Sequence, residues 1–551
     1  MKTNNKDKKN IGSYYTPPTL SDFIVYNLFG NEGKYQFNNH ISILEPSAGD
    51  GVFFHSLFNN KNFKDKIHLP EKINLYAVER EKQALELLKG NTGKYFSTKK
   101  YKISHFNQDY LEYNALNKKR KYDLVIGNPP YIKGQHLTKE QLEFCDAMHK
   151  EVGLGKKTIK NIWTSFLIGG VESLNDQGIL CFVLPAELLQ VIYAKELRNY
   201  LKDKFQFIEI FTFNELVFGI EQDVIILFCS KLGSKGMSFY HVDKLEELKV
   251  PTYTKDNSNI HRETLDKWTN YILEDKELKL LDKLKEKLFP VRNYCRAEVG
   301  IVTAANNYFI VSKSVVSDKS LQEITKPILQ KGMYMPSSVF FTKTDFKKIV
   351  TNNKPSQFLA FENIKSSNFS SSLKSYLKEG EQLNIHERYK CRLRNNWYFV
   401  PSVWISEGFF TKRSDVFPRT IVNNAKVIVT DSFYRIRMRE GLLINDLVFS
   451  FYNTLTFVLA ELEGRYYGGS VLELTPNEYK NLSIPYCNKI SNIHLNKLDD
   501  MLRSGVNILK ILDYTDKIVL KNYYNFKDSD ILKLRNMYKK LVKRRLKKRD
   551  I

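Results

Sequence analysis

Apolar positions between Ile41 and Ser230 come in short runs, most of them closed by a polar or charged residue: "ISILEP", "INLYAVE", "YKISHFNQD", "YDLVIGNPP", "GILCFVLP", "FIEIFTF" and "DVIILFCS". Runs of this length, rich in Ile, Leu, Val and Phe, predict buried strands. Between several of them the spacing becomes helical, as in "REKQALELLKG" and "IWTSFLIGGVESLND". Strands alternating with helices predict an α/β domain with a mostly parallel, doubly wound sheet. The last two runs are separated only by "NELVFGIEQ". That is too short for a parallel crossover, so the two form a hairpin and the sheet ends in a reversed strand.

Beyond Ser230 the texture changes. The polar, Gly- and Ser-containing stretch that follows predicts a linker over 236–262. From 263 to 490 short strand-like pieces ("NYFIVS", "SVFFT", "WYFVPSVWIS", "AKVIVTD") lie between Asn, Ser, Lys and Gly, predicting an α+β domain. Residues 491–551 read as helices ending in the basic "MYKKLVKRRLKKRDI". The first domain spans 1–235. No run approaches the roughly 18 apolar residues of a membrane span, so no membrane association is expected. The start, "MKTNNKDKKNIGSYYTPP", is basic but has no apolar segment after it, unlike a signal peptide. Six scattered cysteines without a Cys-x-x-Cys pair predict buried free thiols and a cytoplasmic location. Lys and Arg number 85 against 61 Asp and Glu, a formal +24. Solubility or a Lys/Asn-rich background explains part of that. An excess this large points to a polyanionic partner, with nucleic acid leading. Charge alone does not choose DNA over RNA.

The strand ends carry the chemistry. "ILEPSAGDGVFF" (Ile43 to Phe54) is a strand, a Gly-containing turn and a helix start, where small residues let a ligand approach backbone N–H groups. It lacks the G-x-x-x-x-G-K-[ST] phosphate cradle, which disfavours a nucleoside triphosphate. Glu79 ends the next strand, where a carboxylate can accept both hydroxyls of a ribose. Asp109 ends the third and can accept a bond from an adenine amine. Either alone is an ordinary strand-end carboxylate; together with the Gly turn they outline a nucleoside site. The fourth strand stops at Asn128-Pro129-Pro130-Tyr131. Two prolines cannot continue a ladder, so the Asn128 side-chain oxygen and the Pro129 carbonyl are expected to face outward. Two such acceptors can hold the two hydrogens of one planar amine, and the Tyr131 ring can stack on its heterocycle. That arrangement suits in-line attack of an exocyclic amine on a sulfonium methyl, mainly by positioning.

On these motifs residues 11–230 resemble the catalytic domain of the N6-adenine DNA methyltransferases with the γ order of motifs. That resemblance implies a Rossmann-like, S-adenosylmethionine-dependent methyltransferase domain followed by a DNA target-recognition domain. "GSYYTPP", with Tyr15 and Thr16, resembles the segment that meets the methionine part of S-adenosylmethionine. "LEPSAGDG", with Glu45, Ser47 and Gly49, resembles the first core motif. Glu79 matches the ribose-binding acid, and "NQDYLEY", with Asp109 and Tyr110, the segment at the cofactor adenine. "NPPY" matches the catalytic signature. "LVFGIEQ" resembles the loop whose aromatic residue, here Phe218, packs on the extruded adenine; a hairpin core phenylalanine is the alternative. "EVGIVTAANNYFIV", "NNWYFVPS" and "RYYGGSVLELTPNEYKNLSIPY" resemble target-recognition regions more loosely. The family implies double-stranded DNA as partner, a flipped base, action as a monomer on DNA in the nucleoid, and a separately encoded cognate restriction endonuclease. Arg392, Arg394, Arg413 and Arg435 are unranked candidates for reading bases, and the basic tail is either a DNA clamp or a solvated helix end.

Two other classes compete. Ribosomal RNA guanine and protein glutamine methyltransferases carry related signatures, but in usually shorter chains whose auxiliary domain commonly comes first. A non-catalytic DNA-binding specificity protein would not need Glu79, Asp109 and Asn-Pro-Pro-Tyr together. No Pro-Cys dipeptide is present for cytosine-C5 chemistry, and no convincing nuclease motif is visible.

Overall fold

The computed structural model describes residues 15–30, 35–59, 64–93, 100–218, 223–250, 268–467 and 470–546. The chain divides into two compact units, one running to Ile272 and the other comprising Leu273–Tyr466 and the chain from Ser470.

The first unit is built on eight strands: β1 (His40–Glu45), β2 (Lys72–Val78), β3 (Tyr101–Phe106), β4 (Tyr122–Gly127), β5 (Leu174–Pro185), β6 (Phe207–Phe213), β7 (Val224–Ser230) and β8 (Gly236–Val242). Their order is β3-β2-β1-β4-β5-β7-β6-β8. Neighbours pair in parallel except β7, which runs antiparallel to both β5 and β6. All seven runs read from the pattern are strands, and the short connection makes the expected hairpin. The reversed strand lies between β5 and β6, not at the edge. Every residue of β6 and β7 is buried, which is why both read as unbroken apolar runs. The helix Pro18–Phe29 opens with proline in its first turn and sends Phe23 edge-on to Phe211 of β6, with ring centroids 5.0 Å apart.

The domain boundaries need correction. Gly236–Val242, expected within a linker, is β8, paired in parallel with β6. The first unit therefore extends beyond 235, and 251–262 of the expected linker lies outside the described residues.

In the second unit one four-stranded sheet runs Cys295–Val299, Phe433–Met438, Gly408–Thr411, Thr420–Val422, and another joins Ile310–Val311, Gln357–Leu359, Thr325–Leu329 and Ile428–Val429. The stretch "WYFVPSVWIS", expected as a strand, is irregular. Trp397, Tyr398 and Phe399 pack against an apolar core cluster instead of joining a ladder. The helices from Asn492 onward belong to this same unit and do not form a separate segment. Among the described residues no helix is long and apolar enough to cross a membrane, and all six cysteines are free and buried.

Candidate active site

The chain moves outward from β1 to β2 and β3, then returns to place β4 on the other side of β1. A doubly wound sheet opens a crevice at such a reversal, at the carboxyl ends of its strands. Glu45 closes β1, Glu79 follows β2, Asp109 lies beyond β3, and Asn128 follows β4. One cavity brings these together. Tyr15, Thr16, Glu45, Ser47, Gly49, Glu79, Asp109 and Tyr110 all line it, and so does Asn128.

Gly49 (φ 55°) and Gly51 (φ 85°) turn the chain after β1 through left-handed conformations that side chains disfavour. The turn is tied on two sides. Gly49 N donates to Glu79 Oε2 (2.9 Å), while Glu79 Oε1 accepts from Glu81 N (2.8 Å). Ser47 Oγ donates to the Asn128 backbone carbonyl (3.1 Å), joining the Gly turn to the proline turn. Asp109 caps the helix Tyr110–Leu116, its Oδ1 accepting from Leu111 N (2.9 Å). Its Oδ2 accepts from Gln141 Nε2 (2.8 Å). Gln141 was missed by the sequence reading. "TKEQ" is visible as a capping box, and Thr138 and Gln141 do cap the helix Lys139–Glu151, but the reach to Asp109 is tertiary. Pro130, Ile132 and Phe166 also line the cavity, and the Phe166 ring lies 4.7 Å from that of the buried Tyr110.

The cavity floor is acidic. Glu45 is 1% exposed, and its Oε2 has no hydrogen-bond partner among the described residues. Burial first, then the neighbouring Asp50 and Glu79 carboxylates, hold its pKa well above the usual carboxylate range. An unsatisfied buried carboxyl aimed at a cavity suits a cationic ligand. S-adenosylmethionine, with its sulfonium and ammonium groups, adenine and ribose, fits this donor and acceptor set.

The proline turn departs from the expected geometry in one respect. The Asn128 side-chain oxygen does not simply face outward: it accepts from Tyr131 Oη (3.0 Å), which also reaches the Val183 carbonyl (3.1 Å). Asn128 Nδ2 donates to Thr16 Oγ1 (3.2 Å). The Pro129 carbonyl accepts no backbone or side-chain bond from a described residue, as expected. Pro129 itself is buried, and Tyr131 and Phe218 are half-buried against the sheet core, outside the lining of the cofactor cavity. Phe218 thus has the core contacts of its alternative reading, and residues 219–222 of its loop lie outside the described residues.

A mostly parallel sheet with an inserted reversed strand, opening at its switch point into this cavity, defines an S-adenosylmethionine-dependent methyltransferase. Two family models place it further: the Eco57I restriction-modification methylase matches residues 26–218, and the C-terminal domain of the type II methyltransferase M.Eco57I matches residues 265–520. The type II methyltransferase M.AccI of Acinetobacter calcoaceticus is 25% identical over 500 residues, covering 86% of this chain and 84% of that protein. M.HincII of Haemophilus influenzae is 27% identical over 227 residues, covering 40% of this chain and 37% of its own. Among solved structures, the type IIL restriction-modification enzyme MmeI in complex with DNA matches 98% of this chain and 80% of its own at a TM-score of 0.63 and 13% identity, a likeness of fold. The chain belongs to the type II restriction-modification DNA methyltransferases.

Proposed function

We propose that this enzyme transfers the methyl group of S-adenosylmethionine to the N6 amine of an adenine flipped out of duplex DNA, as the modification partner of a separately encoded endonuclease. The reading rests on the Asn128 amide. Its Nδ2 is held by Thr16 and its Oδ1 by the Tyr131 hydroxyl, at the edge of the cavity that takes the cofactor. The Tyr131 bond orients the amide oxygen toward an incoming amine. The Pro129 carbonyl supplies the second acceptor. Two acceptors on one NH2 draw it toward sp3 geometry and aim its lone pair.

The cofactor, when bound, supplies the electrophilic methyl. Asn128 and the Pro129 carbonyl would hold the amine in line with that methyl, and the amine proton, acidic once the methyl is transferred, would leave to water past Asn128. No strong base is required. Tyr131 and Phe218 would replace the stacking lost on extrusion, and the excess of Lys and Arg would hold DNA phosphates.

Methyl transfer from labelled cofactor to duplex DNA, followed by modified-base sequencing, tests the proposal; label at N6 of adenine is expected. Label at cytosine N4, or in RNA or protein, would overturn it. No incorporation across varied sequences would favour a non-catalytic DNA-binding protein. Asn128→Ala should abolish transfer while the Kd for S-adenosylhomocysteine stays within about twofold, because a group that only positions the amine contributes to the transition state.

A further inference from the structure

The second unit carries a pair of cations that its own fold does not neutralise. In the antiparallel pairing of Cys295–Val299 with Phe433–Met438, Arg296 stands directly opposite Arg437. Both are exposed. Like charges facing each other across strands destabilise a sheet. The next pair along the same face is Glu298 with Arg435, and there Arg435 Nη2 lies 3.6 Å from the Glu298 carboxylate. Neither Arg296 nor Arg437 has a hydrogen-bond acceptor or an ion-pair partner among the described residues.

Arg437 is nonetheless held. Its guanidinium carbon lies 4.5 Å from the ring centroid of Trp404, and that of Arg435 lies at the same distance. Arg435 is 4% exposed and donates to the Ser402 carbonyl (2.5 Å) and hydroxyl (3.2 Å). The buried arginine therefore fixes the indole, and the indole braces the exposed one. A guanidinium packed on an aromatic face is weakly hydrated and loses little freedom on binding an anion. Two uncompensated guanidiniums, one braced, fit a phosphodiester bridging them, and such an anion would remove the cross-strand repulsion.

We infer that Arg296 and Arg437, with Trp404 as brace, form a binding site for a backbone phosphate of duplex DNA. This rests on the reading of the protein as a DNA methyltransferase and adds a contact that is independent of base sequence. It also reassigns Arg435, from a reader of bases to a positioning residue.

The test is the affinity of the full-length protein, with S-adenosylhomocysteine present, for a fluorescent duplex of mixed sequence across a salt series. In Arg296→Ala/Arg437→Ala we expect about tenfold weaker binding at low salt and a log–log salt slope shallower by roughly 1 to 2, as for one or two lost phosphate contacts. Tm should not fall, since a repulsive pair is removed, and the Kd for S-adenosylhomocysteine should stay unchanged. An unchanged slope and affinity in the double variant would overturn the site. So would full competition by inorganic phosphate at constant ionic strength, which would mark a free-phosphate site. The two readings separate cleanly. Wild-type protein that binds DNA with the Arg-dependent slope but transfers no methyl group keeps the phosphate site and refutes the methyltransferase proposal.

Discussion

Glu79 does two things at once. Its oxygens close the Gly turn through Gly49 N and the strand end through Glu81 N, and in the proposed function the same carboxylate takes the ribose hydroxyls. Glu79→Ala should raise the Kd for S-adenosylhomocysteine about tenfold or more by titration calorimetry, the scale of a charge-assisted hydrogen bond at about 1.5–3 kcal/mol; an unchanged Kd would remove it from the ribose role. Glu45 makes a pH prediction. Burial, and then the Asp50 and Glu79 carboxylates, raise its pKa in the free protein and favour the protonated form. A cationic cofactor favours the ionised form, so binding releases that proton and affinity for S-adenosylmethionine should weaken as pH falls. Calorimetry in buffers of different ionisation enthalpy should detect proton release in wild type and lose it in Glu45→Gln. These carboxylates were legible in the sequence because each ends a strand of unambiguous pattern. Gln141 was not, since its partner Asp109 is 32 residues away.

Among the elements, the helix Lys139–Glu151 delivers Gln141 to the cavity and is locked at its other end by His149. That fully buried imidazole meets Thr158 Oγ1 at 2.5 Å and Ser165 Oγ at 3.0 Å. Burial lowers its pKa from 6.5 to about 4, with a small opposing pull from Asp146. The unfolded chain therefore takes up a proton below about pH 6.5 that the folded unit refuses until about pH 4. The stabilisation is complete above 6.5 and is lost as pH falls through that window, about 3 kcal/mol in all. Urea unfolding at pH 7 and pH 5 should show most of that difference in wild type, and His149→Gln should flatten it. The strand and helix alternation of the first unit was readable because parallel strands are apolar throughout. β8 was misread because "GMSFYHV" mixes polar letters and follows β7 without a helix. It joins the sheet by passing over the end of β6, a choice that only the existing sheet edge offers.

At the scale of the whole molecule, the +24 charge does not mean that every basic segment is free to meet DNA. The helix Asp528–Leu546 packs against Thr454–Glu463 within the second unit. Its Arg545 is 2% exposed, bidentate to the buried Glu461 (2.8 and 2.9 Å), and donates to the Val416 and Ser470 carbonyls (2.7 and 2.6 Å). Removing one member of a buried pair strands the other's charge. Arg545→Ala should therefore destabilise the second unit by roughly 3–5 kcal/mol, whereas exposed Lys543→Ala should change Tm little; equal, small effects would show the pair to be dispensable. Of the arginines considered as base readers, Arg394 is committed to the Trp397, Val302 and Thr303 carbonyls, and Arg413 to Glu473. Residues 547–551 of the basic tail lie outside the described residues.

Sequence alone determined the α/β plan of the first unit, the hairpin that reverses β7, and the row of side chains at four strand ends, because strand burial and turn chemistry are written in neighbouring residues. The tertiary structure decided which of those side chains share a cavity, that Tyr131 orients the Asn128 amide, and which cations of the second unit are spent on the fold. Those outcomes depend on groups far apart in the chain meeting across a sheet or a core, and no local pattern records such meetings.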